Sequence, residues 1–180
     1  MHKYIALLRG INVGGRYKII MADLRVLFGT LGFTEVTSYI QSGNIIFCSE
    51  ESNGKKLEQR IEAAIENEYG YSVPVIMLKR STLEKILRDN PWKPLKDDEL
   101  NKMYYVFLKE SPESEVVAEF KESKFENEKF VICRDYIYLK CLRGMGKAKL
   151  TTNLLEKKLG VQATARNHKT ALKLLELTKN

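Results

Sequence analysis

The sequence has few cysteines, few histidines, few prolines and no long apolar run, and each shortage closes off a class of protein. Three cysteines, Cys48, Cys133 and Cys141, are too few and too scattered for a disulfide framework, and no Cys-x-x-Cys occurs. Together with the two histidines, His2 and His168, they lie too far apart for zinc-ligand spacing, so no metal and no cofactor is expected. Four prolines and eleven glycines exclude collagen-like and linker composition. No stretch approaches the roughly 20 apolar residues that a membrane-spanning helix needs, and the apolar run near the start is far short of a signal segment. The expected location is therefore the cytoplasm, with reduced thiols and no membrane partner. What is present suits a folded chain. At 180 residues, 44% hydrophobic and 29% charged, it allows one or two small domains with an ordinary core. Its 30 Lys+Arg against 23 Asp+Glu give a formal net charge of +7.

Strand and helix signals alternate in a repeated order. Lys3 to Arg9 is a short apolar run ending at Gly10, which suits a buried strand. Leu24, Leu27, Phe28 and Leu31 recur at i, i+3, i+4 and i+7, so a helix is expected from Met21 to Leu31, stopped by Gly32. Glu35 to Ile40 and Ile45 to Cys48 are β-rich runs around Gln41-Ser-Gly-Asn44, the composition of a hairpin turn. Ser52 or Asn53 caps a second helix ending at Gly70, and Val73 to Leu78 is a fourth strand. A connector comes next, in which Ser81 to Glu84 reads as a capping box and Asn90-Pro-Trp-Lys-Pro94 as a stop. Strands then return at Lys102 to Lys109, Phe130 to Cys133, Tyr136 to Cys141 and, briefly, Val161 to Arg166, with Arg134-Asp135 as a tight turn. Helices carry Val116, Val117 and Phe120 after Pro112, Leu150 to Leu159 before Gly160, and Ala171, Leu174 and Leu175 after an Asn167 cap. Two β-α-β-β-α-β units predict an α+β fold of two tandem ferredoxin-like plaits with a connecting helix and a C-terminal helix. The expected division is a first domain over 1–80, a helical connector over 81–100 and a second, basic domain over 101–180. That repeat rests on element order, since the halves show no obvious identity.

Four segments carry candidate site residues. Arg9-Gly-Ile-Asn-Val-Gly-Gly-Arg16 is a glycine-rich turn between a strand and a helix, the kind that lets backbone N–H groups approach an anion. Gly10 and Gly15 have P-loop spacing, yet Arg16-Tyr17 stand where a Lys-Ser/Thr pair would hold phosphate and Mg²⁺, and Ile19-Ile20 intervene before the helix. P-loop NTPase chemistry is therefore excluded. A tight connection needing positive φ at Gly14 or Gly15 accounts for the glycines equally well. The second segment presents Ser42, Gly43 and Asn44 at the hairpin tip. Antiparallel central strands of a plait bring Arg9, Asn12 and Arg16 near Ser42 and Asn44. The third sets Arg143, Lys147 and Lys149 ahead of a helix capped by Thr151 or Thr152. The fourth places Arg166, His168 and Lys169 around the Asn167 cap, where cations oppose the helix macrodipole and a bound anion reverses that sign. From Tyr136 to Leu175 nine cations oppose one acid, Glu156, so this stretch carries +8 and the rest of the chain −1. Solvated surface lysines are the plain reading of such a run.

Several chemistries are set aside. No Gly-x-Ser-x-Gly elbow occurs, and neither His2 nor His168 has a neighbouring nucleophile pattern. Asn44 to Phe47 lacks the aromatic pattern of an RNA-recognition strand. Tyr104, Tyr105, Tyr136 and Tyr138 read as sheet packing rather than a base-stacking platform, and Trp92 as an anchor between domains.

Tyr4-Ile-Ala-Leu-Leu-Arg-Gly-Ile-Asn-Val-Gly-Gly15, Tyr39-Ile-Gln-Ser-Gly-Asn44 and Thr164-Ala-Arg-Asn167 together resemble the bacterial domain of unknown function 1697 family, nearly end to end. The resemblance implies a tandem plait fold and a cytoplasmic protein, and it carries no established activity. Its motif residues fall here on Arg9, Gly10, Asn12, Gly14, Gly15, Ser42, Gly43, Asn44, Arg166 and Asn167, with His168 where the family often has tryptophan. The expected function is binding of a phosphate-bearing or other anionic ligand, a nucleotide or nucleic acid, through those residues together with Arg16, Arg143, Lys147 and Lys149. One alternative is an enzyme acting on a small anionic substrate, with Arg9 and Arg166 as clamps and Ser42, Asn44 or His168 moving protons. The other is a structural or partner-binding module.

Overall fold

A computed structural model describes residues 1–15 and 17–179. Arg16, one of the candidate ligand-binding cations, lies outside the described residues. The chain forms two compact units: Met1–Ile86 with the C-terminal segment from Lys173 onward, and Leu87–Leu172.

The first unit runs β1 (His2–Leu8), α1 (Met21–Thr30), β2 (Thr34–Ser38), β3 (Asn44–Ser49), α2 (Gly54–Tyr69) and β4 (Val75–Lys79). Its four strands form one antiparallel sheet in the order β2-β3-β1-β4. Alternate residues Tyr4, Ala6, Leu8, Ile45 and Phe47 meet Leu24, Phe28, Leu57, Ile61 and Ile65 from the two helices in one core. Helix α2 begins where the Asn53 side chain accepts the Lys55 and Lys56 N–H groups, and it ends at left-handed Gly70. Leu7 pairs with Asn44 and Leu8 with Val75, so the exit of β1, the β2–β3 turn and the entry to β4 share one end of the sheet. The strand expected to reach Ile40 stops at Ser38, because Glu35 and Ile40 adopt positive φ and the register shifts between Thr34 and Thr37. Helix α3 (Arg80–Arg88) comes directly after β4, so Ser81 lies inside its first turn rather than capping it.

The second unit contains α4 (Asp97–Leu100), β5 (Met103–Leu108), α5 (Ser114–Lys121), β6 (Glu128–Ile132), β7 (Tyr136–Cys141), α6 (Thr152–Leu159) and β8 (Ala163–Asn167), and α7 (His168–Leu177) comes last. Its sheet is antiparallel in the order β6-β7-β5-β8. Val106, Leu108, Ile137, Leu139, Leu155 and Leu159 centre the core between this sheet and α5 and α6. Helix α4 was not legible as a run of apolar residues; it is a single turn whose first residues are Asp97, Asp98 and Glu99, acids that suit a helix start. Pro112 sits before the Glu113 cap of α5 rather than within its first turn. The opposite face of each sheet is buried too, at Ile5, Leu7 and Ile46 in one and at Tyr105, Phe107 and Tyr138 in the other. The fold is thus α+β with two four-stranded antiparallel sheets. Among the described residues no helix is long and apolar enough to cross a membrane.

Candidate functional site

The segment between β1 and α1 is anchored by Ile11 and Ile19 in the core and tied by the Asn12 side chain. The Asn12 amide donates to the Ile19 carbonyl at 2.8 Å and to the Gln41 carbonyl at 2.9 Å, while its oxygen accepts the Ile19 N–H at 2.9 Å. Both amide hydrogens are thereby consumed, so Asn12 ties the loop to the neighbouring hairpin instead of presenting donors to a ligand. Gly10, Gly14 and Gly15 all have positive φ with open space where a side chain would begin. Their glycine is a matter of backbone conformation, and the backbone there stays approachable. Arg9 is half-buried at the end of β1, with its N–H on the Pro74 carbonyl at 2.9 Å.

The hairpin turn does lie beside this loop, but its Asn44 side chain faces inward. Asn44 is fully buried, its amide donating to the Tyr39 carbonyl and to Ser42 Oγ, both at 3.1 Å. Gly43 has φ +76, and a Cβ there would lie 2.7 Å from Leu8 Cβ and 3.1 Å from the Leu8 carbonyl oxygen. Its own carbonyl accepts the Leu8 N–H at 2.8 Å. Gly43 is thus required by close backbone packing, and Asn44 by the turn.

What opens to solvent is a cleft of about 950 Å³ lined by Asn12, Gly15, Lys18, Ile19, Ile20, Met21, Ala22, Arg25 and Gln41. Helix α1 begins in its wall. The cap position is Ile20, which offers no side-chain acceptor, whereas Asn53 and Thr151 cap α2 and α6. The first N–H groups of a helix have no intrahelical partner and carry the positive end of the macrodipole. Asp23, the acid of that first turn, does not line this cleft; it lines a separate hollow with Glu68 and Tyr69. Among the described residues two cations line it: Lys18, and Arg25, whose Nη1 donates to Ser38 Oγ at 2.7 Å. Sequence reasoning named Asn12 and Gly15 but missed both cations. Lys18 precedes the helix, and Arg25 stands four residues after Met21, one turn up the same face, which is the signal that could have found it.

The basic stretch of the second unit divides. Arg143, Lys147 and Lys149 are exposed around a single 3₁₀ turn, Met145–Lys147, and the Lys149 N–H donates to Glu128 Oε1 at 2.9 Å. Arg166 is buried: its Nη1 donates to Thr164 Oγ1 at 2.7 Å and to the Ala165 carbonyl at 2.8 Å, and burial brings its pKa down to about 10. Asn167 caps α7, accepting the Thr170 N–H at 2.8 Å. The loop of exposed cations comes after the third strand of its unit, whereas the cleft loop comes after the first strand of the other, so the two occupy non-equivalent places in the shared strand order.

His168 does not bring a charge to the α7 terminus, contrary to expectation. It is buried, its Nδ1 lies 2.7 Å from the Tyr105 hydroxyl, and Asn90 Nδ2 donates to that hydroxyl at 3.3 Å. Burial first, and the charge of Lys93 second, hold its pKa below the ordinary value, so the imidazole is neutral near pH 7. Burial likewise pushes Tyr105 up to about 12 and Tyr138 higher still. The rings of Tyr105 and Tyr138 meet edge to face at 5.9 Å, inside the protein rather than on a stacking surface. Trp92 lies under the Lys140 ammonium, 6.0 Å from the ring centre, and Lys140 also pairs with Glu99. Among the described residues no three of His, Cys, Asp and Glu converge to hold a metal ion.

Over residues 1–138 the chain matches the family of proteins of unknown function DUF1697. It belongs to that family. The matched span contains the cleft loop and the hairpin turn; Arg143, Lys147, Lys149, Arg166 and Asn167 lie beyond it. A solved structure described as a conserved bacterial protein from Streptococcus pneumoniae is similar at 26% identity with a TM-score of 0.75, over 97% of each chain. No curated protein matches the chain significantly.

Proposed function

We propose that the protein binds a small phosphate-bearing ligand of nucleotide size in the cleft at the start of α1. The observation that carries this reading is the uncapped α1 terminus opening into a cleft lined by Lys18 and Arg25. Uncapped N–H groups, a helix dipole and two cations all favour an anion at one place. The cleft volume falls within the range of small-molecule sites, roughly 300–1,000 Å³. In this reading Gly15 and the amides of Met21 and Ala22 approach the phosphate, Lys18 and Arg25 supply charge, and Asn12 positions the loop. Gly10 and Gly14 let that loop turn, and Arg9, Ser42, Gly43 and Asn44 hold the strands from which it springs.

The finer fold assignment belongs to the same proposal: each unit is a ferredoxin-like plait, a reading supported by the element order and by the two matching strand orders. A cytoplasmic setting suits the three free cysteines, of which Cys48 and Cys141 are buried.

The test is thermal denaturation with AMP, ATP and inorganic phosphate. A ligand at 100 times its Kd stabilises by about 2.7 kcal/mol. A concentration-dependent rise in Tm that is lost in Lys18→Ala/Arg25→Ala supports the proposal, and an unchanged Tm with all three probes contradicts it. A second reading, nucleic acid on the exposed Arg143, Lys147 and Lys149, predicts instead an oligonucleotide affinity that falls steeply with salt and is indifferent to Lys18 and Arg25.

A further inference from the structure

Three of the four sheet edges are closed. Hydrogen bonding alternates along an antiparallel strand, so every second residue turns its N–H and C=O outward at an edge. On β4 the outward N–H groups of Val75 and Met77 donate to Glu62 Oε1 at 2.7 Å and Glu58 Oε1 at 3.0 Å, both from α2. On β8 the Ala163 N–H donates to Glu156 Oε1 at 2.8 Å, and the Ala165 carbonyl accepts Arg166 Nη1 at 2.8 Å. On β2 the register shift at Glu35 breaks the edge. The fourth edge, β6, has none of these devices. The Cys133 N–H donates to the Tyr136 carbonyl, and the Leu142 N–H to the Asn127 carbonyl. With Lys129 opposite Lys140 and Val131 opposite Tyr138, the odd positions bond β7, so Phe130 and Ile132 direct their N–H and C=O away from the sheet. Among the described residues none bonds those outward groups.

A groove of about 620 Å³ runs along this edge, with Phe125, Phe130, Val131 and Ile132 as apolar lining and Lys121, Lys124 and Lys129 as its cations. The acid that also lines it, Glu128, is buried and engaged with the Lys149 N–H, while the exposed Glu122 and Glu126 lie outside the lining. Lysines on an edge discourage pairing with a second copy, which would bring the same three cations to the same place. They favour a strand of opposite charge. Phe130 and Ile132 face α5, and Lys129 and Val131 face the other way, so a complementary strand alternates apolar residues on the α5 side with acids beside Lys129. We propose that the β6 edge docks an extended, acidic and apolar-alternating segment of a partner protein, adding a fifth strand to the second sheet.

The probe is a fluorescent, acetylated Glu-Val-Glu-Val-Glu-Val-Glu peptide titrated against the full chain, with the Lys-Val counterpart as control. Binding of the acidic peptide is expected. It should weaken by about tenfold or more in Lys121→Glu/Lys124→Glu/Lys129→Glu and vanish when the peptide is N-methylated at the residues whose N–H faces β6, while N-methylation at the alternate residues leaves it unchanged. The N-methylated pair uses the unaltered protein, so it decides the matter even if the triple variant does not fold. Absence of binding, equal binding of the Lys-Val peptide, indifference to the position of the methyl groups, or a dimer of the chain formed through β6 each overturns the proposal.

Discussion

The two units share one strand order, yet they differ in the connection that leaves the first strand. In the first unit Arg9 to Ile20 make a long segment with Asn12 at its centre; in the second, Lys109 to Glu113 pass almost directly from β5 to α5. The short connection demonstrates that this topology needs no glycine-rich loop. The long one places Ile11 and Ile19 in the core and in addition lines a cleft beside the start of α1. The second unit concentrates its polar chemistry inside instead, where Asn90, Tyr105 and His168 form a buried chain of hydrogen bonds.

Breaking each unit at its own key position sharpens that contrast. The largest effect is expected from Gly43→Ala, which combines a left-handed backbone with a 2.7 Å approach to Leu8 Cβ. A loss of about 2–4 kcal/mol is expected from strain plus overpacking, read as a shift in denaturant midpoint. Gly144→Ala, at φ +80 and ψ 158 but with open space around it, is the matched substitution in the second unit and should cost about 1–3 kcal/mol, from backbone strain without overpacking. Tyr105→Phe comes next, at about 1–3 kcal/mol, because it leaves Asn90 and His168 without the hydroxyl between them. Asn12→Ala should cost about 1–2 kcal/mol and speed amide exchange at Ile19, whose N–H it accepts.

A pH series separates the units in another way. Because the folded state holds the His168 pKa below its ordinary 6.5, the unfolded chain takes up a proton that the folded one refuses. That contribution to stability is whole above about pH 6.5 and declines as the pH falls below it. Glu35 and Glu99 have pKa values lowered from 4.5, so their contributions are lost only at still lower pH. Stability measured by denaturant titration from pH 7 down to 5 should therefore fall in the wild type and stay flatter in His168→Gln. An identical slope in both would show that His168 is not the group responsible.

The strand and helix order was legible because it depends on local signals: the period of Leu24, Leu27, Phe28 and Leu31, the Asn53 cap, and the glycines at 70 and 160. So was the meeting of Asn12 with the hairpin, since the topology sets which loops share an end of the sheet. The side chains' directions were not legible. Asn44 and Arg166 are polar residues that a sequence presents as site candidates, and only packing reveals that they are buried among their own strand ends. Lys18 and Arg25 escaped notice for the opposite reason, as ordinary surface cations whose position beside the α1 terminus is a three-dimensional fact.

The smallest effect on stability is expected for Lys18→Ala/Arg25→Ala, within about 0.5 kcal/mol, because both are exposed. That pair is also where the functional contrast between the units is most open to test. The decisive measurement is an amide-resolved NMR titration with AMP on the wild type and on this double variant. A ligand site at the start of α1 predicts shift changes centred on Gly15 and on Met21 to Asp23, saturating with ligand and absent from the variant. Changes centred instead on residues 143 to 149, or none at all, would contradict it.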